Sequence, residues 1–188
     1  MSLLRRLMEQ GKTMANIEVR LSTGSVTSTN VDSPNKSIGG KMAQTASGTA
    51  IAVITESSFG LNTIWDNLTQ LDNVEGNPDY RCLYIYNNPN GSKRGPMLGT
   101  KLYISGSTYS AFRVAKIDEK NREATLARDE KEMPLGVAFE DHKKDSPLVI
   151  GTLEPGDYQA VWFKRTPVNI SGAGEIRESF EFIIVGSD

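Results

Sequence analysis

The sequence predicts an all-β fold: an antiparallel β-sandwich preceded by an extended N-terminal arm. Three observations predict it. Short strand-forming runs recur after residue 50 with turn residues between them. No part of that stretch keeps a long helical period or alternates strand with helix. Between Ser22 and Ala50, by contrast, more than half the residues are Ser, Thr, Gly or Asn. Such a segment has too little apolar surface to offset the entropy of ordering itself, and it is expected to gain order from neighbours. The expected organisation is therefore an arm over 1–50 and a sandwich over 51–188, with a partly open barrel as the alternative closure.

Taken in order, Leu3, Leu4, Leu7 and Met8 share one face at helical spacing, as a docking helix or a leader would, and Met14 offers a second start. Ile51–Ile54 is a short apolar run, and 65–71 reads as a helical turn or an irregular loop. In Tyr80–Tyr86 the even positions are Tyr, Cys, Tyr and Tyr, and the odd ones Arg, Leu and Ile. A loop signal follows at Asn87–Gly91. Strands are expected at Lys101–Ser105 and Phe112–Ile117, then a hairpin through Asp118–Asn121 into Glu123–Ala127. Val137–Phe139 and Leu148–Ile150 are shorter candidates. Tyr158–Lys164 and Ser179–Val185 alternate most clearly. The corner Leu153-Glu-Pro-Gly-Asp-Tyr158 places a Pro-Gly turn before a strand-starting tyrosine. In immunoglobulin-like sandwiches a tyrosine so placed bonds back to the preceding backbone, which makes that variety of sandwich the expected one, with a plain type II turn beside an ordinary core tyrosine as the equal alternative for this motif.

Net charge is −2 over 188 residues, so the chain lacks the basic excess of a nucleic-acid binder. The charge is uneven: residues 1–50 carry +3, leaving −5 for the rest. A cationic arm suits an acidic protein partner, and chance scatter of charge is the equal alternative. Within it Ile17, Val19, Arg20, Lys36, Lys41 and Met42 are the candidate partner-binding residues. No apolar run approaches the roughly 18 residues of a membrane helix, and Arg5 and Arg6 interrupt what a signal peptide would need as its apolar core. Cys82 is the only cysteine, which excludes an intrachain disulfide.

Candidates for chemistry are few. His142 is the only histidine and lies in a charged run, so a dyad with Cys82 has no support from spacing. One Cys and one His cannot supply a zinc site, and Asp118-Glu119 and Asp129-Glu130 lack the periodicity of a calcium loop. Gly91-Ser-Lys-Arg-Gly95 lacks the strand–loop–helix setting of a phosphate loop. Tyr84, Tyr86, Trp162 and Phe163 could form a sugar- or receptor-binding patch, but on alternating strands core packing is the simpler role. The expectation is a non-enzymatic protein without catalytic residues, cofactor or metal.

Three stretches carry a family resemblance. Leu71–Asn88, an acidic small-residue lead running into Tyr80-Arg-Cys-Leu-Tyr-Ile-Tyr-Asn-Asn88, resembles a recurring segment of virion structural proteins of tailed bacteriophages. Leu148–Pro167, with its Leu-x-Pro-Gly-x-Tyr corner and Trp162-Phe-Lys-Arg end, is similar to their penultimate strands, and Phe180–Val185 to their closing strand. The likeness spans about residues 60–185, excluding the arm and the charged stretch 106–147. It implies a head decoration or cement protein within the virion, assembled in the bacterial cytoplasm. Its partner would be the major capsid protein or another virion protein, and it would be a homo-oligomer with no nucleic-acid or membrane contact. A tail, neck or baseplate component is the alternative within that class, and a carbohydrate- or receptor-binding module the alternative outside it.

Overall fold

The computed structural model describes residues 15–47, 52–54, 64–65, 74–106, 110–168 and 181–187. The strands are β1 (Ile17–Leu21), β2 (Asn30–Val31), β3 (Thr45–Ala46), β4 (Val53–Ile54), β5 (Asp79–Asn87), β6 (Met97–Ser105), β7 (Ser110–Lys116), β8 (Leu148–Leu153), β9 (Tyr158–Pro167) and β10 (Glu181–Ser187). They form a five-stranded sheet in the order β4-β1-β5-β9-β7 and a three-stranded sheet in the order β10-β6-β8, every neighbouring pair antiparallel. A small parallel pair, β2 with β3, completes the set. The fold is an all-β sandwich.

Alternation along each strand decides what lies between the sheets. Leu83 and Ile85 of β5, Val161 and Phe163 of β9, and Phe112 and Val114 of β7 meet Leu102 of β6, Leu148, Ile150 and Leu153 of β8, and Phe182 and Ile184 of β10. Phe163 and Phe182 pack edge to face at 5.5 Å across the gap. Each such side chain contributes about 1.5–3 kcal/mol by leaving water. Trp65 belongs to this core and lies against Phe112, with two guanidiniums over its ring, Arg81 at 5.1 Å and Arg165 at 4.8 Å from the centroid. Arg81 is fully buried, and its charge is met by Glu130 while its Nε donates to the Ile64 carbonyl at 3.0 Å.

The five-stranded sheet is also covered on its other face. Tyr80, Cys82, Tyr84, Ala115, Ala160 and Trp162 pack there against Ile38, Ala124 and Ala127, with Met42, Val137 and Phe139 around them. Every residue of β5 except Tyr86 is therefore buried. This is why both of its sides read as apolar or aromatic in the sequence, as they do in strands covered on both faces.

Several expectations need correction. Residues 15–47 do not stand off the body as an arm. β1 pairs with the central strand β5 through five residue pairs, Ile17↔Asn87 to Leu21↔Leu83. Leu21, Val31 and Ala43 are completely buried in the inter-sheet core. The physical reason is that this segment holds few apolar residues but places each where the body needs one. Its many hydroxyls and glycines then satisfy buried backbone, as described below. Residues 1–14 and 48–51 lie outside the described residues, as do 66–71. Glu123–Ala127 forms no hairpin strand: Ala124 makes one bridge to Gly40, and Ala127 donates to the Ile38 carbonyl at 2.9 Å. Val137–Phe139 is likewise irregular, its Phe139 ring packing on Tyr80 at 5.5 Å. Both stretches cover the sheet instead of extending it.

The Pro-Gly corner also differs in detail. Asp157 donates its backbone N–H to the Glu154 carbonyl at 2.8 Å, and Gly156 has φ +96°, so Glu154–Asp157 is a turn that requires glycine at its third position. The Tyr158 hydroxyl, however, donates to the carbonyl of Asn121 at 3.0 Å, on a different loop. The back-bond to its own preceding backbone that motivated the immunoglobulin comparison is not made.

Asp157 organises this junction. Lys120 Nζ donates to it at 2.5 Å, Asn121 Nδ2 at 2.6 Å and the Glu154 amide at 3.0 Å. Burial pushes its carboxyl up, but these donors and the Lys120 charge outweigh burial and hold it below its ordinary 3.8. A carboxyl held low when folded contributes stability above its unfolded value and loses that contribution as pH falls through the folded one. Acid unfolding of Asp157→Asn, followed by circular dichroism, is therefore expected to have a shallower dependence on pH below about 4 than the parent chain.

Candidate functional site

The described residues offer no catalytic arrangement to build on. Cys82 is completely buried on the outer face of β5, and burial drives its thiol far above the ordinary range, offset only in part by a hydrogen bond with Ser22. His142 belongs to the other layer: its carbonyl accepts from the Ile104 amide of β6 at 3.0 Å, and its Nδ1 lies 3.0 Å from the Ser146 carbonyl oxygen. The two are not brought together. Among the described residues no three His, Cys, Asp or Glu side chains cluster as metal ligands. The acidic pairs have local duties. Asp129 Oδ1 accepts the amides of Lys131 and Glu132, and Glu130 pairs with Arg81.

The aromatics are packing residues. Tyr84 and Trp162 are fully buried and Phe163 nearly so, while Tyr86 lies half-buried under the Arg20 guanidinium at 5.2 Å. Burial raises the Tyr84 phenol well above its ordinary value, and its hydroxyl ties two covering segments together. It donates to the Gly40 carbonyl and accepts the Ala124 amide at 3.0 Å.

This hydroxyl belongs to a larger seam through which the Ser/Gly-rich segment is fastened to the sheet. Ser37 Oγ donates to the Cys82 carbonyl at 2.6 Å and accepts the Ser22 amide at 3.0 Å, and Ser22 Oγ accepts the Gly39 amide at 2.9 Å. Thr23 donates its amide to the Lys41 carbonyl at 2.9 Å, and Ala43 to that of Leu21 at 2.9 Å. Gly39 and Gly40 have φ of +98° and +74°, and a Cβ on either would overlap a backbone oxygen, of Thr125 and Ser25 respectively. Small side chains here are what allow backbone to pack on backbone.

The six candidate partner-binding residues divide accordingly. Ile17 and Val19 pack against the inter-sheet core, and Met42 against the outer one. Part of their apolar surface thus serves the chain's own fold. Arg20 is engaged by Glu18 at 2.5 Å and by the Ala43 carbonyl at 3.2 Å. Lys36 is exposed and Lys41 partly so. Both lie in the segment that backbone bonds fasten to Gly24–Ser25 and to Ala124–Ala127, where Lys41 donates its amide to the Ser25 carbonyl at 2.8 Å. The layer also exposes Val26 (61%) and Leu126 (41%). Neither apolar residue stood out in the sequence. Both sit in irregular stretches, where no periodicity says which way a side chain points.

The chain matches no protein-family model, no curated protein and no solved structure at a significant level.

Proposed function

We propose that this chain is a non-enzymatic structural protein of a tailed-phage particle, in the role of a head decoration protein bound to the major capsid protein. The observation that carries the reading is the resemblance of Leu71–Asn88, Leu148–Pro167 and Phe180–Val185 to virion structural proteins. What the fold adds in support is a rigid platform for contact. The outer layer exposes Lys36, Val26 and Leu126 and leaves Lys41 partly exposed, a combination that suits an acidic protein surface with some apolar contact. In this reading residues 24–41 act as part of a preformed surface, so little ordering entropy opposes docking.

The test is to locate the protein in a particle map and to measure docking of the Lys36→Glu/Lys41→Glu double variant. Expected are many copies following capsid symmetry, and at least about a tenfold loss of docking affinity with the melting temperature unchanged, since both side chains lie at the surface. Copies confined to one vertex would instead favour a tail or neck component. Absence from particles would end the reading.

A further inference from the structure

The loop between β5 and β6 carries the chain's one Asn-Gly step, Asn90-Gly91. Asn90 is exposed, and its side-chain carboxamide makes no hydrogen bond among the described residues. Only its backbone amide is held, by Asn88 Oδ1 at 2.9 Å. Gly91 donates its amide to the Asn88 carbonyl at 3.4 Å, longer than an ordinary amide hydrogen bond. An electrophilic carboxamide thus stands free beside a loosely held main-chain nitrogen, on a residue with no side chain to shield it.

The same loop fastens the start of β1. Asn88 donates its backbone amide to the Asn16 carbonyl at 2.8 Å and its Nδ2 to Glu18 Oε1 at 2.7 Å. Gly91 lies so near Asn16 that a Cβ on it would come within 2.2 Å of the Asn16 side chain. Asn87 forms a second, independent fastening. Its Oδ1 accepts the Asn16 amide at 3.2 Å, while its Nδ2 donates to the Gly95 and Leu153 carbonyls at 3.0 and 2.9 Å. Asn87 is fully buried, whereas Asn88 and Pro89 are half-buried and Asn90 is exposed.

We infer that Asn90 is a site of spontaneous modification to aspartate and isoaspartate, and that its conversion undoes the Asn88 fastening of β1. The Gly91 nitrogen, losing its proton, attacks Cγ of Asn90. A carbon–nitrogen bond forms, and the carboxamide nitrogen leaves as ammonia. Water then opens the resulting cyclic imide. Opening at one carbonyl leaves aspartate at 90, and opening at the other routes the main chain through Cγ as isoaspartate. Both products carry a new negative charge, and nothing is oxidised or reduced. Isoaspartate also lengthens the main chain by one carbon inside the turn. That displaces Gly91 from its close contact with Asn16 and breaks the turn that positions Asn88, while buried Asn87 keeps its bonds. The inference rests on this loop alone and is independent of the particle reading.

The experiment ages the full chain at mildly alkaline pH beside Asn90→Gln, whose longer side chain closes a ring far more slowly. An unstructured peptide of residues 86–96 gives the reference rate. Intact mass and peptide mapping follow the replacement of NH2 by OH, and an unchanged melting temperature checks that the variant is folded. The parent is expected to convert at Asn90 at a rate within about tenfold of the peptide's, and Asn90→Gln to stay unmodified at that position. In the aged parent the Asn88 amide is expected to exchange hydrogen at least about tenfold faster than in fresh protein. The Asn87 amide, bonded to the Asp157 carbonyl at 2.9 Å, is expected to be unchanged. A parent that converts more slowly than this, or first at another asparagine, overturns the inference. So does an isoaspartate-containing chain in which Asn88 keeps its protection.

Discussion

Gly40→Ala is expected to destabilise the chain by about 3 kcal/mol, combining a left-handed backbone that costs a side chain about 1–2 kcal/mol with overpacking worth a further 1–3. Gly40 has φ +74°, and the added methyl would overlap the backbone oxygen of Ser25. Neither party can yield cheaply, because both are main chain. Ser25 also accepts the Lys41 amide at 2.8 Å, and Gly40 donates its own amide to the Ala124 carbonyl at 3.0 Å while accepting from Tyr84. Displacing this point loosens the hydrogen bonds that close the outer core over Cys82 and Trp162. For a chain of this size the expected fall in melting temperature is about 6–12 °C, measured by calorimetry. A variant that melts within a degree of the parent would mean that the 24–43 segment contributes little to the folded body.

Trp162→Ala is expected to cost about 3–5 kcal/mol, as large-to-small changes in a closed core do. Trp162 is fully buried on β9, opposite Cys82 on one side and Ala115 on the other. Cys82, Ala115, Ala124, Ala127 and Ala160 of the same core are small, and alanines cannot move in to fill what the indole leaves. Strand pairing restrains the sheet side of the cavity. The measurable outcome is a urea midpoint lowered in proportion, with an unchanged slope if the native state stays compact. The same substitution in a binding patch would leave stability nearly untouched, so this variant separates the packing role of the tryptophan from a role in ligand recognition.

Much of the sandwich was legible because its best strands announce both faces. Tyr80–Tyr86 separates Tyr, Cys and Tyr from Leu and Ile, and the structure sends the first set to the outer core and the second between the sheets. Tyr158–Lys164 behaves the same way, with Ala160 and Trp162 outward and Val161 and Phe163 inward. β1 was missed, although Ile17-Glu-Val-Arg-Leu21 alternates as a strand should. Its setting in a chain poor in apolar residues argued against it. That argument weighs average composition, whereas burial here depends on single positions: Leu21, Val31 and Ala43 are enough once a preformed sheet receives them. The serines and glycines that looked like the marks of a flexible tether instead satisfy buried backbone, as Ser37 does for the Cys82 carbonyl.

Candidate partner residues were harder to read for a related reason. Ile17, Val19 and Met42 were chosen as apolar side chains in a segment thought to lack a core, whereas part of their surface packs on the chain's own cores. Lys36 and Lys41 kept their exposure because charge seeks solvent whatever the surrounding chain does.

Hydrogen exchange on the isolated chain in dilute solution tests most directly whether residues 17–43 are an intrinsic part of the fold. The amides of Leu21, Ser22, Gly40 and Ala43, all hydrogen-bonded within the chain, are expected to exchange about as slowly as those of Leu83 and Ile85 in β5, because they open only with the sheet. Exchange of these four at the rate of unfolded chain, while β5 remains protected, would contradict the account and return the segment to the status of a tether awaiting its partner.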